Sequence, residues 1–280
     1  MVTKTLRGAD PHGFHRVAYH EWGDPDCERV VVCAHGLTRN GRDFDALAKA
    51  LSDCCRVVCP DMAGRGQSEW LSYPQDYGYP VYLGDAAALV ARLGARRVDW
   101  VGTSMGGLIG MLLAANPGTP VRRLVLNDVG PFIPKRALER IAAYVGNAPA
   151  FHDLGSVEAY LREVHAPFGS LSDEQWRHLA EHSTRVLPDG TFALHYDPAI
   201  GTTLRAAPFQ DVDLWAVWDA VRCPTLVLRG ADSDLLMPEV AAEMARRGPR
   251  AQVVEVAGVG HAPALLAPDQ IERIRSWLFR

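Results

Sequence analysis

The sequence lacks the features that mark several large classes of protein. It has no basic tract and no acidic tail, because its 29 Lys and Arg and its 33 Asp and Glu are scattered to a net charge of −4. This distribution offers no electrostatic surface for nucleic acid. No apolar run approaches the roughly 20 residues that span a bilayer, and the first residues contain no apolar signal segment. We therefore expect a cytoplasmic protein without nucleic-acid or membrane partners.

Cysteine is also sparse, and its spacing favours neither cross-links nor metal ligands. The chain has six cysteines, no Cys-x-x-Cys pair, and no place in the sequence where histidines and cysteines cluster at ligand spacing. A framework of disulfides or a zinc site would require such patterns. We expect reduced thiols, no metal and no cofactor.

What the sequence does contain is a regular alternation of strand and helix patterns. A continuous β-branched run at 29–34 and apolar runs at 56–60 and 123–128 are typical of parallel strands that are buried on both faces. From about residue 130 the pattern changes to separate helices without a buried strand, and the alternation resumes at 225–229. The length suits one large domain with an insertion. The sequence therefore predicts an α/β fold, with a mostly parallel sheet, helices on both faces and a helical insertion.

The most specific local motif is Gly102-Thr103-Ser104-Met105-Gly106, which joins an apolar run to a helical pattern. Gly-x-Ser-x-Gly in this context predicts a strand, a very sharp turn and a helix, with Ser104 at the apex. Glycine is expected on both sides because a Cβ there would collide with the opposing limb of the turn. A serine in this position needs a base, and the base needs an orienting carboxylate.

Four motifs, taken in chain order, make the sequence similar to the α/β-hydrolase superfamily. They are His35-Gly36, the glycine-punctuated loop 61–68, the serine turn, and Gly258-Val259-Gly260-His261. The resemblance covers about residues 14–278. It implies an α/β-hydrolase fold whose core consists of residues 1–130 and 218–280, with residues 131–217 forming a helical cap, or lid, over the serine.

The resemblance also implies a triad in the chain order serine, acid, histidine. Ser104 is the expected nucleophile, and His261 is the expected base because it alone follows the last candidate strands. For the acid the resemblance favours Asp234, which belongs to a Ser-Asp pair in the loop 230–236. Asp232 in the same loop and Asp128, at the end of the strand after the serine helix, remain alternatives.

The oxyanion that forms during carbonyl attack is usually held by two backbone donors. By resemblance these are the N–H groups of Met105, just after the nucleophile, and of Leu37. His35 is similar to a structural histidine that steadies the loop carrying Leu37, and the loop 61–68 is expected to be architectural.

The expected reaction is hydrolysis of a small or medium ester, as in a carboxylesterase, through an acyl-enzyme on Ser104. The segment 132–218 holds 11 of the 23 aromatic residues, which favours an apolar substrate group or simply the packing of the cap itself. The expected partner is a small-molecule ester or related acyl compound. Three alternatives remain: a carbon–carbon bond hydrolase of ring-cleavage products, a cofactor-free perhydrolase or acyltransferase, and a hydrolase-fold ligand receptor.

Overall fold

The computed structural model describes residues 1–280. In chain order the strands are β1 (Val2–Asp10), β2 (Gly13–Trp22), β3 (Val30–Ala34), β4 (Arg56–Pro60), β5 (Val98–Thr103), β6 (Val121–Asn127), β7 (Phe132–Ile133), β8 (Ala150–Phe151), β9 (Thr184–Val186), β10 (Phe192–Leu194), β11 (Val212–Asp213), β12 (Thr225–Gly230) and β13 (Gln252–Val256). The helices are α1 (Asp45–Leu51), α2 (Tyr79–Leu93), α3 (Met105–Ala115), α4 (Lys135–Tyr144), α5 (Leu154–Val164), α6 (Asp173–His182), α7 (Ala199–Leu204), α8 (Trp215–Ala220), α9 (Pro238–Met244) and α10 (Pro268–Leu278). None of these helices combines the length and the apolar character needed to cross a membrane.

Eight strands form the central sheet, in the order β1-β2-β4-β3-β5-β6-β12-β13. The pairs β1/β2 and β2/β4 are antiparallel, and every other neighbouring pair is parallel. The predicted α/β fold with a mostly parallel sheet is therefore confirmed. Strand β1 was not predicted; it pairs only with β2 at the sheet edge and is largely exposed, so it has no buried apolar run.

Successive residues of the central strands pack on opposite faces of the sheet, as the pleat requires. In β3, Val30 and Val32 join the apolar cluster that contains Leu89 of α2 and Ile109 of α3. The intervening Val31 joins the cluster that contains Leu47 of α1 and Leu278 of α10. Helices thus cover both faces, and this is why the strands are continuously apolar.

The segment 131–217 connects two neighbouring strands of the sheet, β6 and β12. It contains α4 to α7 and the start of α8, of which the helical pattern indicated α4, α5 and α6, and also two small antiparallel sheets, β8-β10-β9 and β11-β7. These strands of two or three residues are too short to leave a periodic signal in the sequence. The division of the chain into a core and a cap stays a prediction.

Strand β5 meets helix α3 at a single strained residue, Ser104, whose φ and ψ are 50° and −116°. A Cβ built on Gly102 would lie 2.3 Å from the carbonyl oxygen of Gly106, and one built on Gly106 would lie 2.0 Å from that of Ala34. Both separations are far below contact distance, so the turn requires glycine at both positions. The strand, sharp turn and helix predicted around Ser104 match this geometry.

We expect Gly106→Ala to lower the free energy of unfolding by about 1–3 kcal/mol, the usual cost of forcing extra atoms into a packed site. The added methyl group would meet the backbone of β3, which cannot move without disturbing the sheet. Chemical denaturation measures the change.

Gly84→Ala is the matched control, because Gly84 lies on the exposed side of α2 with no atom near its Cβ position. This variant should be more stable by up to about 1 kcal/mol through helix propensity. Equal stability of the two variants would contradict the steric account of the turn.

Candidate active site

Ser104 and His261 lie together at the carboxyl edge of the parallel strands, where ligand sites of such sheets usually form. Ser104 follows β5, and His261 belongs to the loop that follows β13. The Nε2 atom of His261 is 3.0 Å from the Oγ atom of Ser104, within hydrogen-bond distance. The structure therefore brings together the two residues that the sequence motifs singled out.

The third member of this arrangement is Asp128, which directly follows β6. Its Oδ2 atom lies 2.8 Å from Nδ1 of His261 and accepts a hydrogen bond of 2.6 Å from the hydroxyl of Ser233. Its Oδ1 atom accepts a hydrogen bond of 2.8 Å from the N–H group of Gly230. The carboxyl group is completely buried, and these three donors satisfy it as a buried charge requires.

The expectation that Asp234 is the acid is wrong in this structure. Its carboxylate is 44% exposed, and its two oxygens accept hydrogen bonds from Nε and Nη2 of Arg140 in α4, with Oδ1 2.8 Å from Nη2. Asp232, the near alternative, is exposed. In the Ser-Asp pair of this loop it is Ser233 that points inward, and it donates to Asp128 instead of placing a carboxylate beside His261.

The loop that carries Leu37 packs directly against the serine turn. A Cβ built on Gly36 would lie 3.8 Å from Cβ of Ser104, and the N–H group of Gly106 donates to the carbonyl oxygen of His35 at 3.1 Å. Met105 is the first residue of α3, so its N–H group has no acceptor within the helix. The assignment of Leu37 and Met105 as oxyanion donors stays a prediction.

Arg65, a buried residue that the sequence analysis did not single out, stabilises the loop that carries Leu37. Arg65 is fully buried, and its Nε atom donates to the carbonyl oxygen of Leu37 at 2.8 Å. Its Nη1 atom donates to the carbonyl oxygen of Ala63 at 2.7 Å and to the hydroxyl of Tyr82 at 2.8 Å. The residue falls within the loop 61–68, but nothing in that motif indicates that its side chain would reach Leu37.

His35 is buried inside the same loop and makes two hydrogen bonds to the backbone. Its Nε2 atom accepts from the N–H group of Met62 at 2.9 Å, so Nδ1 carries the proton and donates to the carbonyl oxygen of Gly36 at 2.7 Å. Burial lowers the pKa of His35 to about 4. The imidazole is therefore neutral at physiological pH, and its contacts are those of a residue that steadies the loop.

The fold brings together two groups of possible metal ligands whose members come from separate parts of the sequence. Asp45, His178 and His182 bring one ligand atom each within 4.8 Å of the others, as do Asp10, His12 and Asp76. In the first group the guanidinium of Arg42 already binds both carboxylate oxygens of Asp45. Neither group lies among the residues that contact Ser104 or His261.

This chain is similar to known hydrolases in sequence and in structure. A model of the alpha/beta hydrolase family matches residues 31–274. The 3-hydroxybutyrate-oligomer hydrolase of Cupriavidus necator is 51% identical over 269 residues, which cover 93% of this chain and 92% of that protein. The 2-(acetamidomethylene)succinate hydrolase of Mesorhizobium japonicum is 29% identical, covering 86% of this chain and 84% of that protein. The crystal structure of an alpha/beta hydrolase from Novosphingobium aromaticivorans is 37% identical and superposes with a TM-score of 0.87, covering 99% of this chain and 98% of that one.

The buried neutral state of His35 predicts a dependence of stability on pH. Its pKa is about 4 in the folded chain against 6.5 for an ordinary histidine, so the unfolded chain binds the extra proton first as the pH falls. The contribution of His35 to stability is therefore complete above pH 6.5 and is lost between pH 6.5 and 4, by about 3 kcal/mol.

Unfolding of His35→Gln beside the wild type, at pH 7 and at pH 4.5, tests this. The wild type should lose more stability than the variant over that interval. His152→Gln, which removes an exposed histidine, should leave the pH dependence unchanged. Parallel losses in the wild type and in His35→Gln would exclude His35 as a source of acid sensitivity.

Proposed function

The chain belongs to the alpha/beta hydrolase family, and we propose that it is a serine hydrolase that cleaves esters of short hydroxyacid oligomers. The observation that carries the proposal is the continuous hydrogen-bonded chain from Ser104 Oγ through the imidazole of His261 to the carboxylate of Asp128. In this arrangement a poor nucleophile is activated by a base whose orientation is fixed by a buried acid.

In the first step Oγ of Ser104 attacks the ester carbonyl while Nε2 of His261 takes its proton. Asp128 binds the Nδ1–H group, which selects the tautomer with a free Nε2 lone pair and stabilises the imidazolium that forms. Three donors fix the position of this carboxylate. His261 then gives the proton to the leaving alcohol, and an acyl group remains on Ser104.

The negative charge that develops on the carbonyl oxygen is held at the start of α3. The N–H group of Met105 and the aligned peptide dipoles of this helix favour an anion there, and the N–H group of Leu37 supplies the second donor. Arg65 supports this role, because its bond to the carbonyl oxygen of Leu37 fixes that peptide group. A water molecule activated by His261 completes the cycle by hydrolysing the acyl-enzyme.

The segment 131–217 is proposed to cover the site as a cap. Pro167 of this segment accepts a hydrogen bond of 2.7 Å from the N–H group of Gly260, the residue before the catalytic histidine. The cap therefore contacts the loop of His261.

The choice of substrate rests on the relative with 51% identity, whose name states that it hydrolyses 3-hydroxybutyrate oligomers. An ester of a hydroxyacid fits the proposed chemistry, since its carbonyl is a simple acyl group and its leaving group is a secondary alcohol. The proposed substrate is therefore more specific than the small or medium ester expected from the sequence.

We expect the purified protein to hydrolyse the linear dimer and trimer of 3-hydroxybutyrate and to lose this activity in Ser104→Ala. The substitution removes the nucleophile but leaves the fold intact, as the thermal midpoint should show. Chromatographic measurement of released monomer follows the reaction. Ser156→Ala, on the exposed surface of α5, should retain full activity.

Undiminished turnover by Ser104→Ala would remove the acyl-enzyme from the mechanism. Cleavage of a vinylogous diketone by a wild type that leaves every ester intact would instead favour the carbon–carbon hydrolase alternative.

The assignment of the acid predicts opposite behaviour for two conservative substitutions. Asp128→Asn should lower kcat on the order of 10⁴-fold, as the same change does in other serine triads, because the amide selects the wrong imidazole tautomer. Asp234→Asn should have little effect, because this carboxylate binds Arg140 and not His261. Steady-state kinetics with a nitrophenyl ester measure both, and a larger loss in Asp234→Asn would overturn the assignment.

A further inference from the structure

We propose that a small cavity lined by Arg39 binds the free carboxylate of the substrate through the guanidinium of that residue. The enzyme would then remove the terminal hydroxyacid from the carboxyl end of an oligomer. This inference deepens the proposed function and rests on it. We name the site the Arg39 cavity; its lining includes Arg39, Tyr144, Tyr160, His165, Ser183 and Tyr196.

The base of the Arg39 side chain lies near the proposed nucleophile. A Cβ built on Gly36 would lie 3.8 Å from Cγ of Arg39 and 3.8 Å from Cβ of Ser104, so both side chains flank the same point of the loop. On the opposite side the cavity is lined by residues of the segment 131–217.

Arg39 has hydrogen-bonding capacity that the protein does not use. The guanidinium is 6% exposed, and its Nε and Nη2 atoms donate to the carboxylate of Asp43 at 2.8 and 2.7 Å. Arginine carries five N–H donors. The Nη1 atom has only a long contact of 3.5 Å, to Nε2 of His165, so the edge formed by Nη1 and Nη2 can still bind a carboxylate in the bidentate manner.

The charge around this guanidinium also favours an anion. None of the ten lining residues is acidic. Asp43 offsets part of the charge, but it lies on the solvent side, where it is 18% exposed and water screens it. Burial lowers the pKa of His165 well below its usual value, and the charge of Arg39 lowers it further. The imidazole is therefore neutral and adds no charge of its own to the cavity.

A second, independent feature of the Arg39 cavity is an unpaired buried hydroxyl. The Oγ atom of Ser183 has no hydrogen-bond partner, although the residue is only 5% exposed. A buried hydroxyl without a partner costs free energy, and proteins rarely retain one without a use. A carboxylate oxygen held by Arg39 would be an acceptor for this hydroxyl.

The chemistry of the substrate matches this spacing. In a 3-hydroxybutyrate oligomer the terminal carboxylate is separated from the last ester oxygen by two backbone carbons, and the proposal requires this spacer to connect Ser104 with the guanidinium of Arg39. Attack by Ser104 breaks the bond between the carbonyl carbon and that oxygen. The oxygen takes the proton from His261, and the terminal unit leaves as a hydroxyacid with its carboxylate intact.

The test compares the 3-hydroxybutyrate dimer with its methyl ester, which has the same shape but no terminal charge. The wild type should prefer the free acid in kcat/KM, and Arg39→Gln should reduce this preference on the order of 10- to 100-fold, the usual effect of a charged hydrogen bond in a buried site. Arg42→Gln is the matched control. It removes the same charge three residues away, where Arg42 binds Asp45 outside the Arg39 cavity, and should leave the preference unchanged.

A wild type that cleaves the methyl ester as well as the free acid would overturn the proposal. The same conclusion would follow if Arg39→Gln kept the preference. Since loss of Arg39 leaves Asp43 without its partner, the double variant Arg39→Gln/Asp43→Asn provides a second measurement in which no charge is unpaired. It must also lose the preference.

Failure of the proposed substrate class can be separated from failure of the Arg39 cavity. If the protein cleaves nitrophenyl butyrate but neither dimer, inhibition of that reaction is measured with butyrate and with neutral butyramide. Inhibition by butyrate alone that disappears in Arg39→Gln supports the carboxylate site even without the oligomer activity. Equal inhibition by both compounds, or by butyrate in both proteins, overturns it.

Discussion

The candidate site depends on one buried carboxylate, that of Asp128. Its three donors come from three different segments: the end of β12, the loop after it, and the loop of His261 after β13. Because β5, β6, β12 and β13 are consecutive neighbours in the sheet, Ser104 and its partners stand at consecutive strand ends. Asp128, at the end of β6, is the point at which the ends of β12 and β13 are joined by hydrogen bonds.

The sequence did not predict that Asp128 is the carboxylate that contacts His261. Ser104 and His261 lie in local motifs that contain glycines required by close approach; a Cβ on Gly260, for example, would lie 2.9 Å from Cβ of Pro167. The choice among Asp128, Asp232 and Asp234 has no such local basis. It depends on which side chain of the loop after β12 faces inward, and a neighbouring serine takes that position.

The fold was predictable where strands are buried and unpredictable where they are not. The apolar runs of the parallel strands reflect burial on both faces, and the pattern of helices between them predicted the sheet. Strand β1 and the small strands of the segment 131–217 have at most one buried side or only two or three residues. Their pairing is a consequence of tertiary contacts, so no periodicity in the sequence precedes it.

Two buried arginines, Arg65 and Arg39, lie near the loop that carries Leu37 and differ in how many of their hydrogen-bond donors the protein satisfies. Arg65 donates to two backbone carbonyl oxygens and to the hydroxyl of Tyr82, and its Nη2 atom contacts the sulfur of Met105. Every nitrogen of its guanidinium therefore has a contact, and full burial leaves no room for a ligand.

Arg39, by contrast, uses one edge of its guanidinium for Asp43 and presents the other to a cavity that also contains the unpaired hydroxyl of Ser183. Burying a charge with unused donors is unfavourable unless another group completes its hydrogen bonds. The incomplete coordination of Arg39, set beside the complete coordination of Arg65, is therefore the strongest physical reason to assign substrate recognition to Arg39.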